Sequence, residues 1–385
     1  MLRKDPLVEY VLIQPIFKTN EVPNDALWND QASYMNALNF PEAWDMVKAE
    51  EGCVVIAVVD DAVDWTHEDL IDNIWNNPKE IADNGIDDDN NGFIDVGDGH
   101  KIYYEQYGNP NGKPVLFLHG GPGAGFSNSH KGFFDPKLFR VIFFDQRGSG
   151  KSIPYAEIDN NNTKALLSDI ELLRSLLNID QWYLFGGSWG STLALLYGIK
   201  YPKRCLGFVL RGIFLGSNEE VNWFLYDIKK FFPEAYEKFI SYVPPNFKNN
   251  ILEWFHKQLT VNNRSVNLKA ASIWAEYENS CSSLDYVARP ISGENALAIS
   301  KIETHYFLND CFIPNNFIID NIINVSNIPA IIVQGRHDVI CPPFKASMLS
   351  NAWNAAEIEI IEDAGHSAFE ANISRKLINA LHMIK

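Results

Sequence analysis

The feature that most constrains this chain is a serine set among glycines, Gly186-Gly187-Ser188-Trp189-Gly190. The apolar run Trp182–Phe185 before it is typical of a short buried strand, and Ser191–Tyr197 after it has the composition of a helix. A strand, a sharp turn between glycines and a helix form the context in which G-x-S-x-G acts as a nucleophile elbow. The glycines permit a tight backbone turn and leave room beside the hydroxyl. The alternative is an ordinary turn that contains serine, so the rest of the chain has to supply the partners.

Apolar runs of strand length recur along the chain and predict an α/β fold. These runs are Val115–Leu118, Val141–Phe144, Trp182–Phe185, Leu206–Leu210, Ala330–Val333 and Ile358–Ile361. Amphipathic stretches such as Leu166–Leu177 lie between several of them and predict helices. Strands that alternate with helices imply a doubly wound, mostly parallel sheet covered on both faces. In such a sheet the catalytic groups lie on loops at the carboxyl ends of the strands.

One interval, at about residues 216–315, interrupts this alternation. It contains no strand-like run of this kind but is rich in aromatic residues at helical spacing. They are Trp223, Phe224, Tyr226, Phe231, Phe232, Trp254, Phe255, Trp274 and Tyr277. We predict an inserted helical cap over the site. The simplest role for most of these aromatic side chains is the core of the cap itself.

Two further residues complete a candidate triad with Ser188, because a serine hydroxyl is a weak nucleophile until an adjacent base takes its proton. Asp338 follows the strand Ala330–Val333, and His366 lies in the loop after the last strand. The order Ser, Asp, His is the one found on doubly wound hydrolases with this elbow. His366 would act as general base and then general acid, with Asp338 orienting the imidazole. The alternatives are a surface role for His366, and Asp363 as a rival acid that is too close in sequence to His366.

A glycine-rich loop, His119–Gly123, follows the strand Val115–Leu118 and is a candidate oxyanion hole. A tetrahedral oxyanion needs N–H donors that are already aligned. We predict that the backbone N–H groups of Gly121 and Trp189 are these donors. The alternative is a plain turn.

Taken together, these motifs resemble the proline iminopeptidase (prolyl aminopeptidase) family of α/β-hydrolases over nearly all of residues 98–385. The stretches that carry the resemblance are Asp98-Gly99-His100, Gly108-Asn109-Pro110, His119–Gly123, Asp145–Ser152, Gly186–Ser191, Gly335–Asp338 with Cys341-Pro342, and Gly365–Ser367. The resemblance implies an α/β-hydrolase fold with an inserted cap. It also implies release of N-terminal proline from small peptides through an acyl-enzyme, with no metal or other cofactor.

The same resemblance implies two cap glutamates that bind the protonated amine of the substrate. They match Glu278, in Trp274–Glu278, and Glu303, in Ile302–Phe307. At helical spacing Trp274, Tyr277 and Glu278 share one face, which predicts an aromatic pocket with an anionic end. The alternatives are two solvated glutamates, or Glu276 in place of Glu278.

Residues 1–97 resemble a different family. The strand-like run Cys53–Val59 ends in Asp60, and this stretch is similar to the segment around the catalytic Asp of subtilisin-like serine proteases. The His and Ser segments of that family occur nowhere in the chain, and an Asp without them cannot perform acyl transfer. We therefore predict a truncated, non-catalytic segment at 1–97, fused before a hydrolase domain at 98–385. Gly92–Val96 is a candidate for the edge strand of the hydrolase sheet.

An acidic loop near the end of this segment follows the pattern of calcium-binding loops. Asp87, Asp89, Asn91 and Asp95 offer oxygen ligands, with Gly92 at the sixth position. A solvated Asp/Asn turn is the alternative to a calcium site.

Charge and composition exclude some classes of function. The net charge of −17 comes from the first 98 residues, which contain 5 Lys+Arg against 22 Asp+Glu. Neither part has the basic patch that nucleic acid requires, and no run of 18 apolar residues predicts a membrane span. The five scattered cysteines, without CxxC, fit a reducing compartment. With no signal-peptide pattern at the N-terminus, we expect a cytoplasmic protein. The oligomeric state stays open.

Two other functions remain compatible with the sequence. One is an esterase or C–C hydrolase on the same fold, because the elbow does not determine the substrate. The other is an inactive fusion protein whose acidic N-terminus binds a partner. An epoxide hydrolase or dehalogenase is not expected, because those enzymes place Asp at the elbow.

Overall fold

The structure, a computed structural model, describes residues 91–284 and 290–383 of the 385-residue chain. These residues belong to the second of the two units into which the chain divides, Ile81–Lys385. Eight strands form one sheet in the order β1-β2-β4-β3-β5-β6-β7-β8. Their bounds are β1 Asn91–Gly97, β2 His100–Gly108, β3 Lys113–Leu118, β4 Phe139–Phe144, β5 Trp182–Ser188, β6 Cys205–Ile213, β7 Ala330–Gly335 and β8 Ala356–Ile361. The pairs β1/β2 and β2/β4 are antiparallel, and all other pairs are parallel. The predicted mostly parallel sheet is confirmed.

Four helices flank this sheet: α1 Thr163–Leu176, α2 Trp189–Lys200, α9 Pro343–Ala352 and α10 Ala371–Met383. Successive strand residues point to opposite faces, and this alternation builds a hydrophobic core on each side. In β3, Leu116 belongs to one buried cluster and Val115 to the other. The side-chain oxygen of Asn162 caps α1 by accepting a hydrogen bond from the Ala165 N–H at 3.0 Å.

The predicted cap is present as a set of helices between β6 and β7. They are α3 Asn218–Asn222, α4 Pro233–Ser241, α5 Ile251–Thr260, α6 Arg264–Cys281, α7 Gly293–Leu308 and α8 Phe317–Asn321. The described residues between Ile213 and Ala330 contain no strand. Aromatic rings fill the interior: Phe239 stacks on Tyr277 with 4.2 Å between centroids and on Phe255 with 4.7 Å. As expected, several of the cap aromatics form the core of the cap, although Phe231 is exposed.

The edge strand β1 lies on the N-terminal side of the predicted boundary at residue 98. It pairs with β2 through a turn in which Asp98 has a φ of 57°. The Arg147 guanidinium donates to the Val96 carbonyl at 3.1 Å and forms a buried ion pair with Asp169 at 2.7 Å. The hydrolase unit therefore begins before Asp98, and the stretch Gly92–Val96 supplies the edge strand as expected.

Several predictions on the N-terminal segment lie outside the described residues. These are the subtilisin-like segment with Asp60 and the first ligands of the calcium loop, Asp87 and Asp89. Asn91 begins β1, and the exposed carboxylate of Asp95 accepts a hydrogen bond from the Gly97 N–H at 2.8 Å.

Residues 91–284 and 290–383 contain no cluster of three or more His, Cys, Asp or Glu side chains placed to hold a metal ion. Within the same ranges, the helices are too short or too polar to cross a membrane.

Candidate active site

Ser188 lies at the junction of β5 and α2, as the sequence predicts for an elbow. Its φ of 57° and ψ of −128° are strained for a residue with a side chain. The flanking glycines are required by close packing. A Cβ at Gly186 would lie 2.6 Å from the carbonyl carbon of Gly190, and one at Gly187 would lie 2.6 Å from the Arg211 guanidinium. This packing holds the turn that exposes the serine at the carboxyl end of the strand.

Asp338 and His366 form a buried pair, although 28 positions separate them. The distance from His366 Nδ1 to Asp338 Oδ2 is 2.8 Å. A carboxylate can only accept, so Nδ1 carries the hydrogen and Nε2 is left with its lone pair. Two other donors hold the Asp338 carboxylate: the Cys341 N–H at 2.8 Å and the Gln334 amide at 3.0 Å. The histidine is thereby held in the tautomer that a general base requires.

The surroundings of His366 favour the neutral imidazole. Burial lowers its pKa, the Asp338 carboxylate opposes that shift, and the Arg211 guanidinium adds to it. The ring rests on Gly212, whose φ is +53° and where a Cβ would lie 2.9 Å from the histidine Cε1. The acceptor nitrogen Nε2 lies 3.0 Å from a guanidinium nitrogen of Arg211. Sequence reasoning missed Arg211, because nothing in its local pattern points to the histidine.

The rival residues are placed away from this pair. Asp363 is exposed and accepts a hydrogen bond from the Asn372 amide at 2.6 Å. His337 is also exposed. Of the two candidate acids, Asp338 is therefore the one in contact with His366.

The predicted oxyanion loop packs directly against the elbow. Gly121 and Ser188 line the same pocket, and a Cβ at Gly120 would lie 3.5 Å from the Ser188 Cβ. Trp189 is the first residue of α2 and follows Ser188 directly. The structure thus brings the backbone of Gly121 and Trp189 to the nucleophile.

A buried hydrogen-bond network that the sequence did not indicate joins the elbow to this loop. The Trp189 indole donates to the Gln146 side chain at 2.9 Å, and the Gln146 amide donates to the His119 carbonyl at 2.9 Å. His119 Nε2 accepts from the Gln146 N–H at 3.0 Å. Burial lowers the pKa of His119 to about 4, which keeps it a neutral acceptor. The proximity of His119 to the glycines in sequence was the one available signal.

The pocket lies between the carboxyl edge of the sheet and the cap. Its lining consists of Gly121, Ser188, Phe214, Glu220, Phe224, Glu278, Glu303, Phe307, Ile340 and Cys341. The sheet and its loops supply the nucleophile, and the cap supplies most of the aromatic and acidic side chains. Both walls face the same small volume.

Both predicted cap glutamates line this pocket. Glu303, on α7, is 3 % exposed, and its Oε2 accepts a hydrogen bond from the Trp274 indole at 2.6 Å. Burial raises the pKa of Glu278 to about 7. Burial also raises the pKa of Glu303, and the charge of Glu278 raises it further. Glu276 instead pairs with Lys238 beside a separate depression, so Glu278 is the α6 carboxylate in this pocket.

Trp274 and Tyr277 are not among the residues that line this pocket, and their part in substrate binding stays a prediction. Trp274 lies behind Glu303, and the Tyr277 hydroxyl donates to the Phe224 carbonyl at 2.8 Å. Phe224 covers both rings, with centroids 5.7 Å and 5.3 Å away. Helical spacing correctly placed the two aromatics near Glu278, but the neighbouring helices turn that face into the core of the cap. Phe224 forms an aromatic wall together with Phe214 and Phe307.

Sequence reasoning also missed Glu220, a third carboxylate that lines the pocket. Glu220 is 4 % exposed, and it accepts hydrogen bonds from the Leu215 N–H at 2.9 Å and the Ser217 hydroxyl at 2.6 Å. Together with Ser217 it forms a capping box at the start of α3. The spacing S-x-x-E was visible in the sequence. Its carboxylate holds the turn that follows Phe214.

Comparison with known families defines the class of protein first. A family model described as the alpha/beta hydrolase fold matches residues 113–372. A solved aryl esterase structure from Burkholderia cenocepacia, reported as putative, has a TM-score of 0.53 and 16% identity, covering 76% of this chain and 98% of its own. A proline iminopeptidase from Mycobacterium smegmatis has a TM-score of 0.50 and 17% identity, covering 76% and 97%. At these identities the two structures show the fold alone, which is that of an α/β-hydrolase.

Curated relatives define the family within that class. The chain is 45% identical over 295 residues to a probable proline iminopeptidase of Leptolyngbya boryana, covering 75% of this chain and 92% of the relative. It is 43% identical over 285 residues to a proline iminopeptidase of Xylella fastidiosa (strain Temecula1), covering 72% and 91%. A proline iminopeptidase of Arabidopsis thaliana is 42% identical over 301 residues, covering 76% and 79%. The chain therefore belongs to the proline iminopeptidase family of α/β-hydrolases.

Proposed function

We propose that this protein is a serine aminopeptidase that releases N-terminal proline from small peptides, with Ser188, His366 and Asp338 as its catalytic triad. One observation carries the proposal: the Ser188 nucleophile and the carboxylates of Glu278 and Glu303 line the same pocket. A nucleophile opposite an anionic end suits a substrate whose scissile carbonyl and protonated amine belong to the same N-terminal residue. Membership of the proline iminopeptidase family supports the same substrate class.

The reaction proceeds through an acyl-enzyme. The Ser188 Oγ attacks the carbonyl carbon of the N-terminal proline while His366 Nε2 takes the hydroxyl proton. The N–H groups of Gly121 and Trp189 stabilise the oxyanion. His366 then gives its proton to the leaving amine, and the C–N bond breaks. Water, deprotonated by His366, attacks the ester and releases proline with Ser188 restored.

Selectivity for the N-terminus comes from the cap. Glu303 is buried and Glu278 half-buried, and the residues that line their pocket include no lysine or arginine. A substrate ammonium supplies the missing positive charge, because a buried anion is strongly destabilised until it is paired. Phe214 and Phe307 offer an apolar surface to the pyrrolidine ring. An internal peptide bond would bury an uncharged amide at this end, and we expect such substrates to be rejected.

The experiment that tests this function is turnover of prolyl-p-nitroanilide by the full chain beside Ser188→Ala. We expect turnover by the full chain and a loss on the order of 10⁴–10⁶-fold in the variant, as for other serine hydrolases that lose the nucleophile. An acetate ester and a fluorophosphonate serve as probes that need no ammonium group. Ester cleavage without anilide cleavage would indicate the esterase alternative. Failure of the fluorophosphonate to label Ser188 would indicate an inactive binding protein.

We further infer that the chain before β1 takes no part in this reaction, because the proposed site residues lie between Gly121 and His366. A shortened chain that begins at residue 81 should match the full chain in prolyl-p-nitroanilide turnover, and a clear loss would contradict the inference.

The cytoplasmic location and the calcium loop stay predictions. Cys205, Cys281, Cys311 and Cys341 are buried free thiols, which fits a reducing compartment.

A further inference from the structure

Arg211, on β6, lies beneath the candidate active site and contacts both His366 and the turn that carries Ser188. One guanidinium nitrogen donates to the His366 carbonyl at 2.8 Å and lies 3.0 Å from His366 Nε2. The same group packs against the elbow, where a Cβ at Gly187 would come within 2.6–2.8 Å of three guanidinium atoms. The absence of a side chain at Gly187 therefore makes room for Arg211.

The charge of Arg211 is not balanced by a direct partner. Among the described residues it forms no ion pair with a carboxylate, and its buried Nε has no hydrogen-bond partner. Asp338 and Glu370 act on it only as more distant charges. Burying an incompletely paired cation costs free energy, so stability of the fold does not explain this arginine. An explanation has to come from the chemistry of the site.

The hydrogen-bond roles supply that explanation. His366 Nδ1 donates to Asp338, so Nε2 presents its lone pair, and a guanidinium can only donate. Arg211 thus occupies the lone pair that must take the proton of Ser188. In the free protein the acceptor nitrogen of the base is therefore engaged with Arg211.

We propose that Arg211 is a positioning residue that competes with Ser188 for Nε2 of His366 and opposes protonation of the imidazole. The proposal rests on the proposed function, in which His366 is the general base. An imidazolium that forms beside a guanidinium is a stronger acid, and it therefore gives its proton more readily to the leaving amine. Arg211 acts through His366 and does not itself contact the reacting atoms.

In the described part of the chain, few charged groups face His366. Asp338 accepts from its Nδ1, Arg211 faces its Nε2, and Glu370 holds the loop by accepting from the Gly365 N–H at 2.7 Å. His130 interacts with Arg211, but burial lowers its pKa to about 4, so it is neutral at neutral pH. Within residues 91–284 and 290–383, removal of the Arg211 charge leaves the carboxylates of Asp338 and Glu370 acting on His366, and both favour the imidazolium.

The test is the pH dependence of fluorophosphonate labelling of Ser188 in the full chain, compared among the unchanged protein, Arg211→Gln and Arg211→Lys. The probe carries no amine, so its rate follows His366 and not the cap glutamates. We call the pH range in which labelling slows as His366 becomes protonated the acid limb of the rate profile. In Arg211→Gln we expect this acid limb to move up by about 1–3 pH units, the shift typical of losing a like charge in contact. Arg211→Lys keeps the charge and should keep the limb near that of the unchanged protein. Arg174→Gln is the matched control, because Arg174 is buried but pairs with Glu171 away from the pocket.

The outcomes separate the two proposals. An acid limb in Arg211→Gln that coincides with that of the unchanged protein would overturn the role of Arg211 while leaving the triad in place. Absence of labelling in the unchanged protein would instead overturn the proposed function. If Arg211→Gln does not fold, a ¹⁵N-imidazole titration of His366 in Ser188→Ala gives a second measurement with Arg211 intact. A His366 pKa at or above the ordinary value of 6.5 would then contradict the proposal.

Discussion

The two walls of the pocket are built in different ways. On the sheet wall, Ser188, Asp338 and His366 lie on turns at strand ends, and backbone and side-chain hydrogen bonds hold each of them. On the cap wall, Glu278 and Glu303 come from two packed helices, α6 and α7. In the proposed function, the sheet wall carries groups that any acyl transfer needs, and the cap wall carries groups that recognise one kind of substrate. We therefore expect reaction and selectivity to be separable.

The electrostatics of the two walls differ in the same sense. The Asp338 carboxylate is satisfied by three donors within the protein, from His366, Cys341 and Gln334. The cap carboxylates lie beside each other, and burial raises the pKa of both. The Asp338 carboxylate is thus paired without substrate, whereas in the proposed function the cap carboxylates are paired when an ammonium group binds.

The largest effect that separates the walls should come from the double change Glu278→Gln and Glu303→Gln. We expect kcat/KM for prolyl-p-nitroanilide to fall about 100-fold or more, because the substrate ammonium then loses both carboxylates proposed to bind it, while Glu220 is engaged with Leu215 and Ser217. Hydrolysis of an acetate ester should stay within about threefold, since that substrate has no charge to recognise. Steady-state kinetics on both substrates measures the difference.

Glu276→Gln is the control for that experiment, because Glu276 pairs with Lys238 outside the pocket. It should leave both substrates unaffected. Equal losses of anilide and ester cleavage in the double variant would show that the cap wall also supports the reaction itself.

A change on the sheet wall should instead slow the cleavage of both substrates. Gln146→Leu removes the link between the Trp189 indole and the His119 carbonyl, and it leaves both buried groups unpaired. We expect kcat to fall about 10–100-fold for the anilide and the ester alike, because a displaced oxyanion loop affects every acyl transfer. A loss confined to KM for the prolyl substrate would contradict this assignment.

The pH dependence should also distinguish the walls. Below the pKa of about 7 of Glu278, protonation of the cap pair removes the charge that binds the ammonium. We expect kcat/KM for prolyl-p-nitroanilide to fall about tenfold per pH unit there. Fluorophosphonate labelling should persist to lower pH, because burial lowers the pKa of His366 from 6.5. If prolyl-p-nitroanilide turnover and fluorophosphonate labelling both declined over the same pH range, the two walls would not be titrating separately.

The smallest effect concerns stability. Burial raises the pKa of Glu303 in the folded protein above its ordinary value of 4.5, so folding takes up a proton and stability falls as pH rises through that window. Glu303→Gln removes this cost and should raise Tm at pH 8 by about 2–4 °C, equivalent to about 1 kcal/mol. The gain should disappear below about pH 4.5, where the carboxyl is protonated in both states. Thermal melts at the two pH values test it, and an unchanged Tm at pH 8 would mean that the carboxylate is already paired.

Sequence reasoning was most successful where local pattern determines position. The strand runs, the helix at Leu166–Leu177 and the cap interval all correspond to observed elements. The order Ser, Asp, His correctly selected the Asp338–His366 pair, because parallel strands bring their carboxyl ends to one edge. The part of Ser188 in a triad with this pair stays a prediction. Helical spacing did not indicate that Phe224 covers Trp274 and Tyr277. The face that a helix presents to a pocket depends on the neighbours that cover it.

The sequence by itself determined the α/β class, the elbow and the candidate triad. These follow from periodicity, from glycine at a turn and from motif order, all of which act over short distances along the chain. The two cap carboxylates were implied by the resemblance to the proline iminopeptidase family. Only the tertiary structure decided that Arg211 faces His366 Nε2, that Glu220 lines the pocket and that Phe224 covers Trp274. Such contacts join residues from different elements. They arise from packing and from the need to pair buried polar groups, neither of which leaves a local pattern.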